Sequence, residues 1–122
     1  MTFLNDKQKE TLKNFTIFTN NYLKIDNAPK IVIQNGRKDL KTTAHYNYSG
    51  DEKVIKINGK NRMTVDIMRS IAHEMVHHKQ YEDGRLGVRP PDIGGEIEDE
   101  ANAIAGQLIK LYAKEDNTIY DE

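Results

Sequence analysis

Residues 73–77, with the sequence HEMVH, combine the side chains of this chain that are best suited to metal chemistry. On an α-helix, side chains four residues apart lie one turn apart on the same face, so His73 and His77 can direct both imidazoles at one ion. Glu74 lies about 100° around the helix from His73 and can reach a water molecule on that ion without being a ligand. The chain has no cysteine, so a metal must be held by histidine and carboxylate.

This His-Glu-x-x-His spacing is typical of zinc peptidases. Zinc in catalytic sites takes three protein ligands and leaves a fourth position for water, whose pKa it lowers towards about 7. Glu74 would then act as the general base, taking a proton from the attacking water and passing it to the leaving amine. The alternative is a solvated helix face that carries histidines by chance. The position of the motif beside the apolar stripe of a well-formed helix favours the metal site. His78 lies about 100° further around the helix than His77, and we expect it to be a surface histidine.

A third ligand is expected from the start of the last helix, where four acidic residues follow two glycines. These acids are Glu96, Glu98, Asp99 and Glu100. The helix dipole alone also favours acids at a helix N-terminus, which is the alternative explanation for some of them. Glu98 lies about 60° from Ala101, on the edge of the apolar face of this helix. Glu96 and Glu100 share a face about 200° around the helix from Glu98, so the spacing favours Glu98.

The motif HEMVH, followed about 20 residues later by EDEAN, resembles the arrangement of gluzincin metallopeptidases, and most closely that of the ImmA/IrrE-like family. The resemblance covers residues 64–112. It implies that Glu98 is the third zinc ligand. It also implies that Asn102 accepts a hydrogen bond from the far ring nitrogen of a ligand histidine, which would fix the tautomer of that histidine. Ala101 is the small residue that the resemblance places where the two helices cross beside the metal.

The remaining sequence predicts the elements that position this site. Apolar residues at helical spacing predict three helices, and β-branched runs bounded by turn residues predict strands. The helices are expected at residues 5–25, 64–83 and 96–114, and the strands at 30–36, 42–48 and 53–57, the last two forming a hairpin. Asn5 or Asp6 is expected to cap the first helix. Thr64 is expected to cap the second helix and Gly84 to end it, and residues 115–122 are expected to fray. The predicted fold is α+β, a minimal zincin-like domain with a small two- or three-stranded sheet between the N-terminal helix and the two site helices.

Composition indicates a single soluble domain spanning residues 1–122. Charged residues make up 30% of the chain and hydrophobic residues 37%, and the formal net charge is −1. Because there is no basic tract, we expect neither nucleic acid nor an anionic membrane as a partner. No apolar run has the length of a signal-peptide core or a membrane span, so we expect a cytoplasmic protein, and a monomer.

These residues predict a zinc-dependent endopeptidase acting on a peptide or protein substrate, with Zn2+ held by His73, His77 and Glu98. The alternative function is a non-catalytic regulatory or interaction module that keeps the metal and the scaffold. Glu74 favours the enzyme, since a protein that only binds metal has no need of a general base. The resemblance also implies that a strand of the hairpin holds the substrate backbone. Candidate donors for the developing oxyanion are His45, Tyr46, Tyr48, Tyr81 and Arg89.

Overall fold

The computed structural model describes residues 4–38, 40, 42–86 and 95–120. In chain order, these residues form helix α1 (Asp6–Leu23), strands β1 (Lys30–Gln34), β2 (Ala44–Asn47) and β3 (Val54–Asn58), helices α2 (Thr64–Glu82) and α3 (Glu96–Ala113), and a short 3-10 helix (Asn117–Tyr120). The predicted α+β class and the predicted order of elements are confirmed. None of the described helices has the length and apolar character needed to cross a membrane.

The sheet has the strand order β1-β3-β2, with β3 in the centre. β2 and β3 form the predicted antiparallel hairpin, in which Tyr46 lies opposite Ile55. β1 pairs with the other side of β3 and runs parallel to it, with Ile31 opposite Ile55. Among the described residues β2 is therefore an edge strand, and no described strand pairs with its outer side.

Helix α2 is the centre of the core, where it contacts α1, α3, β2 and β3. The apolar stripe predicted for α2 is confirmed, because all of its members are buried: Met68, Ile71, Ala72, Met75 and Val76. The stripe predicted for α3 is buried at Ala101, Ala105, Leu108 and Tyr112 and half-buried at Ile97 and Ile104. The face of α2 that carries His73 and His77 lies between β2 and α3.

The ends of the helices follow the prediction in two of three places. Asn5 caps α1 by accepting a hydrogen bond from the backbone N–H of Gln8, whose side chain accepts in turn from the N–H of Asn5. Gly84 follows α2 with a φ of +74°, a left-handed conformation that glycine adopts at little cost. The prediction that Thr64 caps α2 is wrong, because Met63 is the N-cap residue. The side chain of Met63 forms no capping hydrogen bond. Thr64 is instead the first helical residue, and its hydroxyl accepts a hydrogen bond from the Gln8 side chain.

The segment after α3 is docked on the core as far as Tyr120, so the prediction that residues 115–122 fray is wrong for 115–120, and residues 121 and 122 lie outside the described residues. Its 3-10 helix contacts α2 and α3 and buries Ile119. Asp116 stabilises the turn before it by accepting a hydrogen bond from the backbone N–H of Thr118. The removal of the Ile119 side chain from water is the physical reason for docking, since burial of a large aliphatic side chain contributes about 1.5–3 kcal/mol.

Candidate metal centre

The structure brings His73, His77 and Glu98 together, although Glu98 belongs to a different helix. The two histidines lie one turn apart on α2, with 3.2 Å between their Nε2 atoms. Oε2 of Glu98, at the start of α3, lies 2.9 Å from Nε2 of His77 and 3.3 Å from Nε2 of His73. Within the acidic cluster at the start of α3, Glu98 is thus the residue placed opposite the histidines.

The spacing of these three ligand atoms fits one tetrahedral metal ion. Zinc holds nitrogen and oxygen ligands at about 2.0–2.2 Å, so two ligand atoms on a tetrahedral ion lie about 3.3 Å apart. The observed separations of 2.9, 3.2 and 3.3 Å are close to that value. Two imidazoles and one carboxylate also leave a fourth position for water or substrate, as a catalytic site requires.

Gln80 is a buried partner of this cluster that the motif alone does not reveal. It is 1% exposed, and its Nε2 donates to the carbonyl of Ile97 at 3.1 Å and to the carboxylate of Glu100 at 2.9 Å. Both of these groups only accept hydrogen bonds, so Oε1 of Gln80 must accept the proton of Nδ1 of His77, which lies 2.8 Å away. The local signal for this role is the position of Gln80 three residues after His77, on the same helix face.

The contact with Gln80 fixes the tautomer of His77. A metal ligand must offer the lone pair of an unprotonated ring nitrogen, and a proton on Nδ1 leaves Nε2, the atom beside His73 and Glu98, as that nitrogen. Arg85 donates to Glu100 at 2.6 Å, and this hydrogen bond, followed by that from Gln80, lowers the pKa of Glu100. A continuous chain of hydrogen bonds therefore joins Arg85 to His77 through Glu100 and Gln80.

Replacement of Gln80 by leucine is expected to weaken zinc binding by about 10- to 100-fold, the usual effect of removing the group that orients a metal ligand. Competition with a chelating dye measures this affinity, and nitrogen NMR of the metal-free protein should show that His77 no longer holds its proton on Nδ1. The control is Gln107→Leu, because Gln107 is an exposed glutamine of α3. An unchanged affinity together with an unchanged tautomer would show that Gln80 does not position His77.

Asn102 holds His73 from the side of α3. Burial, followed by the neighbouring His77, lowers the pKa of His73, whereas Glu98 and a hydrogen bond with Asn102 oppose this shift. The net direction is downward, so His73 is neutral at pH 7 and can offer a nitrogen lone pair to a metal. The resemblance implies a contact of this kind between Asn102 and a ligand histidine.

Glu74 lies beside the three candidate ligand residues and is 8% exposed. It lines the same cavity as His77 and Glu98. Burial raises the pKa of Glu74 from 4.5 to about 7, and His77 opposes this shift while the charge of Glu98 adds to it. A carboxyl group with a pKa near neutrality can both take and return a proton, as a general base in hydrolysis must.

His78 is buried, so the prediction of a surface histidine is wrong. It is 1% exposed, and its Nε2 donates to the carbonyl of Asn27 at 2.6 Å. The other ring nitrogen, Nδ1, is hydrogen-bonded to the Tyr46 hydroxyl, which lies 2.5 Å away. Glu82, one turn further along α2, accepts from the backbone N–H groups of Asp26 and Asn27. The face of α2 that carries His78 therefore holds β2 and the segment before β1, and it does not meet solvent.

A cavity of about 400 Å³ runs along the edge strand β2 beside two of the candidate ligand residues, His77 and Glu98. Its wall is formed by residues 44–49, Glu74, His77, Leu86 and Glu98. Three of the predicted oxyanion donors line it: His45, Tyr46 and Tyr48. The Tyr46 hydroxyl is hydrogen-bonded to Nδ1 of His78. Tyr81 packs against the Tyr48 ring, and Arg89 lies outside the described residues.

No protein-family model matches this chain, and no curated protein or solved structure is significantly similar to it. The resemblance to ImmA/IrrE-like metallopeptidases therefore rests on the motif residues within 64–112. Any function must be inferred from the geometry of the site itself.

Proposed function

We propose that this protein is a zinc-dependent endopeptidase built on a minimal zincin-like domain. The observation that carries the proposal is the convergence of two histidines and a glutamate from a second helix, with Glu74 buried beside them. Two imidazoles and one carboxylate form a ligand set that catalytic zinc uses in peptidases. The motif residues are those by which the chain resembles the gluzincins.

The side chains of the site have separate roles in the proposed hydrolysis. Zinc, when bound, would lower the pKa of a water molecule and polarise the scissile carbonyl. Glu74 takes a proton from the water as its oxygen attacks the carbonyl carbon. Glu74 then returns that proton to the leaving nitrogen as the C–N bond breaks, so that it ends the cycle ionised. Gln80 and Asn102 keep His77 and His73 in the orientation that directs a lone pair at the metal.

The edge strand β2 offers the surface on which a peptide would be held. One side of β2 is paired with β3, and residues 44–49 line the cavity beside the ligand residues. An extended peptide along the outer edge would form main-chain hydrogen bonds that do not depend on its side chains. Because Glu74, His77 and Glu98 line the same cavity, the bond to be cleaved would lie within reach of all three.

Zinc-dependent cleavage of peptides tests this proposal. Protein purified without chelator should contain about one equivalent of zinc, since the three ligands form one site. The zinc-loaded protein should cleave members of a mixed peptide library, chelator should abolish cleavage, and added zinc should restore it. Zinc binding without any cleavage would support the non-catalytic metal-binding module instead. Failure to take up zinc on titration would contradict both functions.

A further inference from the structure

A second cavity, of about 380 Å³, continues the cleft on the other side of the ligand residues. It shares Ala44, Glu74 and Glu98 with the first cavity, so the two form one groove that passes the site. Residues 45–49 border the first half of this groove, whereas Thr42 and Thr43 border the second. A peptide extended along β2 would therefore pass through both halves.

The two halves of the groove differ in their side chains. The first half is lined by the apolar surfaces of Tyr46, Tyr48 and Leu86. The second half is lined by Arg62 and Arg69, and we call it the arginine half. A difference of this kind on the two sides of a cleavage site selects for different substrate side chains.

Arg62 carries a positive charge that its described hydrogen bonds do not neutralise. Its guanidinium donates to the backbone carbonyls of Asn58 and Asp66 at 2.9 and 3.0 Å and to the hydroxyl of Ser70 at 2.8 Å. All three acceptors are uncharged. Partial burial lowers the pKa of Arg62, and the Asp66 carboxylate opposes this shift, but the group stays charged at neutral pH.

Arg69 is available to a ligand. Its side chain is 56% exposed, and its contact with the Asp66 carboxylate is long, at 3.6 Å. An exposed ion pair of this kind contributes little stability, so Arg69 can turn towards a bound group at little cost. Asp66 is one carboxylate beside two guanidinium groups, and the other carboxylates of this cavity, Glu74 and Glu98, lie where it joins the first cavity. Away from that junction, the two arginines therefore outnumber the acids.

We propose that the arginine half is a subsite for a carboxylate of the substrate, one or two residues from the cleaved bond. This inference rests on the proposed endopeptidase function. Ala44 lines both halves, and Thr43 and Thr42 of the arginine half lie one and two residues before it in the chain. An extended strand advances about 3.3 Å for each residue. Arg69 holds the carboxylate by charge-assisted hydrogen bonds, and Arg62 adds a fixed positive charge behind it. The carboxylate is an Asp or Glu side chain or the C-terminus of a short peptide.

A library of matched peptides tests the subsite. The peptides carry Glu, Gln or Lys at each position near the cleaved bond, with free or amidated C-termini to separate the two sources of the carboxylate. For the zinc-loaded protein, we expect kcat/KM to be about tenfold higher for the carboxylate form than for the matched amide, as a charge-assisted hydrogen bond allows. Arg69→Gln should remove most of this preference, and Arg69→Glu should reverse it in favour of Lys. The control is Lys110→Gln, which removes the same charge about 18 Å along α3 from Glu98 and should keep the preference.

Binding gives a readout that does not depend on turnover. The zinc-loaded Glu74→Gln variant should bind a selected Glu peptide about tenfold more tightly than its Gln counterpart. Cleavage without any carboxylate preference would overturn the subsite and leave the proposed function standing. A preference that Arg69→Glu does not change would also overturn it, because the carboxylate would then be held elsewhere. If none of the peptides is cleaved, the proposed endopeptidase function and the substrate subsite are both contradicted.

Discussion

Replacement of Glu74 by glutamine is expected to lower kcat by about 100- to 10,000-fold and to leave zinc affinity within a few-fold of that of the parent protein. Glutamine has the shape of glutamate but cannot move a proton at neutral pH. Zinc affinity should be retained because Glu74 lies beside the ligand group formed by His73, His77 and Glu98 and is not a member of it. The measurements are steady-state cleavage of a peptide that the zinc-loaded parent cleaves, and zinc content after removal of free metal. Loss of zinc from the variant would identify Glu74 as a ligand, and an unchanged kcat would exclude it from proton transfer.

The stability of the same variant shows whether burial perturbs Glu74 as the structure indicates. Because burial raises the pKa of Glu74, the folded metal-free protein binds this proton more tightly than the unfolded chain does. The contribution of Glu74 to stability is therefore greatest below pH 4.5 and is lost as the pH rises to about 7. The full shift corresponds to on the order of 3 kcal/mol. Glu74→Gln should thus be the more stable protein at pH 8 in the presence of chelator, and its advantage should shrink towards pH 4.

Replacement of Glu98 by alanine is expected to weaken zinc binding by more than about 100-fold, because loss of a direct ligand exceeds the effect of losing a group that orients one. Oε2 of Glu98 is the atom that lies near Nε2 of both histidines, and two histidines alone do not complete a zinc site. Competition with a chelating dye measures the zinc affinity of the variant. The parent protein is expected to bind zinc more tightly, so its affinity is measured against a stronger chelator.

Two neighbouring acids serve as controls for Glu98. Glu96 is exposed, so Glu96→Ala should keep zinc affinity within a few-fold of that of the parent. Glu100→Ala should weaken zinc binding less than Gln80→Leu does, because in that variant the side-chain amide of Gln80 can still donate a hydrogen bond to the carbonyl of Ile97. If Glu100→Ala lost zinc while Glu98→Ala kept it, α3 would be rotated from its position in the structure. The contact of Asn102 with His73 would then also be wrong.

The helices and the hairpin were predictable because their signals are local. The periodic apolar residues of α2 fix which face is buried, and the spacing of His73 and His77 alone places both imidazoles on one turn. The same spacing places Glu74 to one side of them. The strand arms on either side of residues 49–52 could likewise be paired from the sequence, since a short connection leaves an antiparallel hairpin as the simplest arrangement.

The residues that contact the two histidines, Gln80 and His78 from other elements depended on tertiary structure. Four acids stood at the start of α3, and the crossing of α3 over α2 decided that Glu98 faces the histidines. The same crossing brought Ile97 and Glu100 to Gln80 and so fixed the orientation of its amide. Helical spacing predicts a surface position for His78 because it carries no sign of the acceptor of Nε2, the carbonyl of Asn27, which lies 51 residues away in the chain.

The sequence by itself determined the pair of histidines, the adjacent Glu74 and the classes of the elements that carry them. Each of these follows from bonds and spacings within one helix or one hairpin. Only the tertiary structure decided the parallel pairing of β1 with β3, the role of β2 as the edge strand and the groove that runs past Arg69. These features are contacts between segments that are distant in the chain, and they are set by how the faces of α1, α2, α3 and the sheet pack together, which no local pattern encodes.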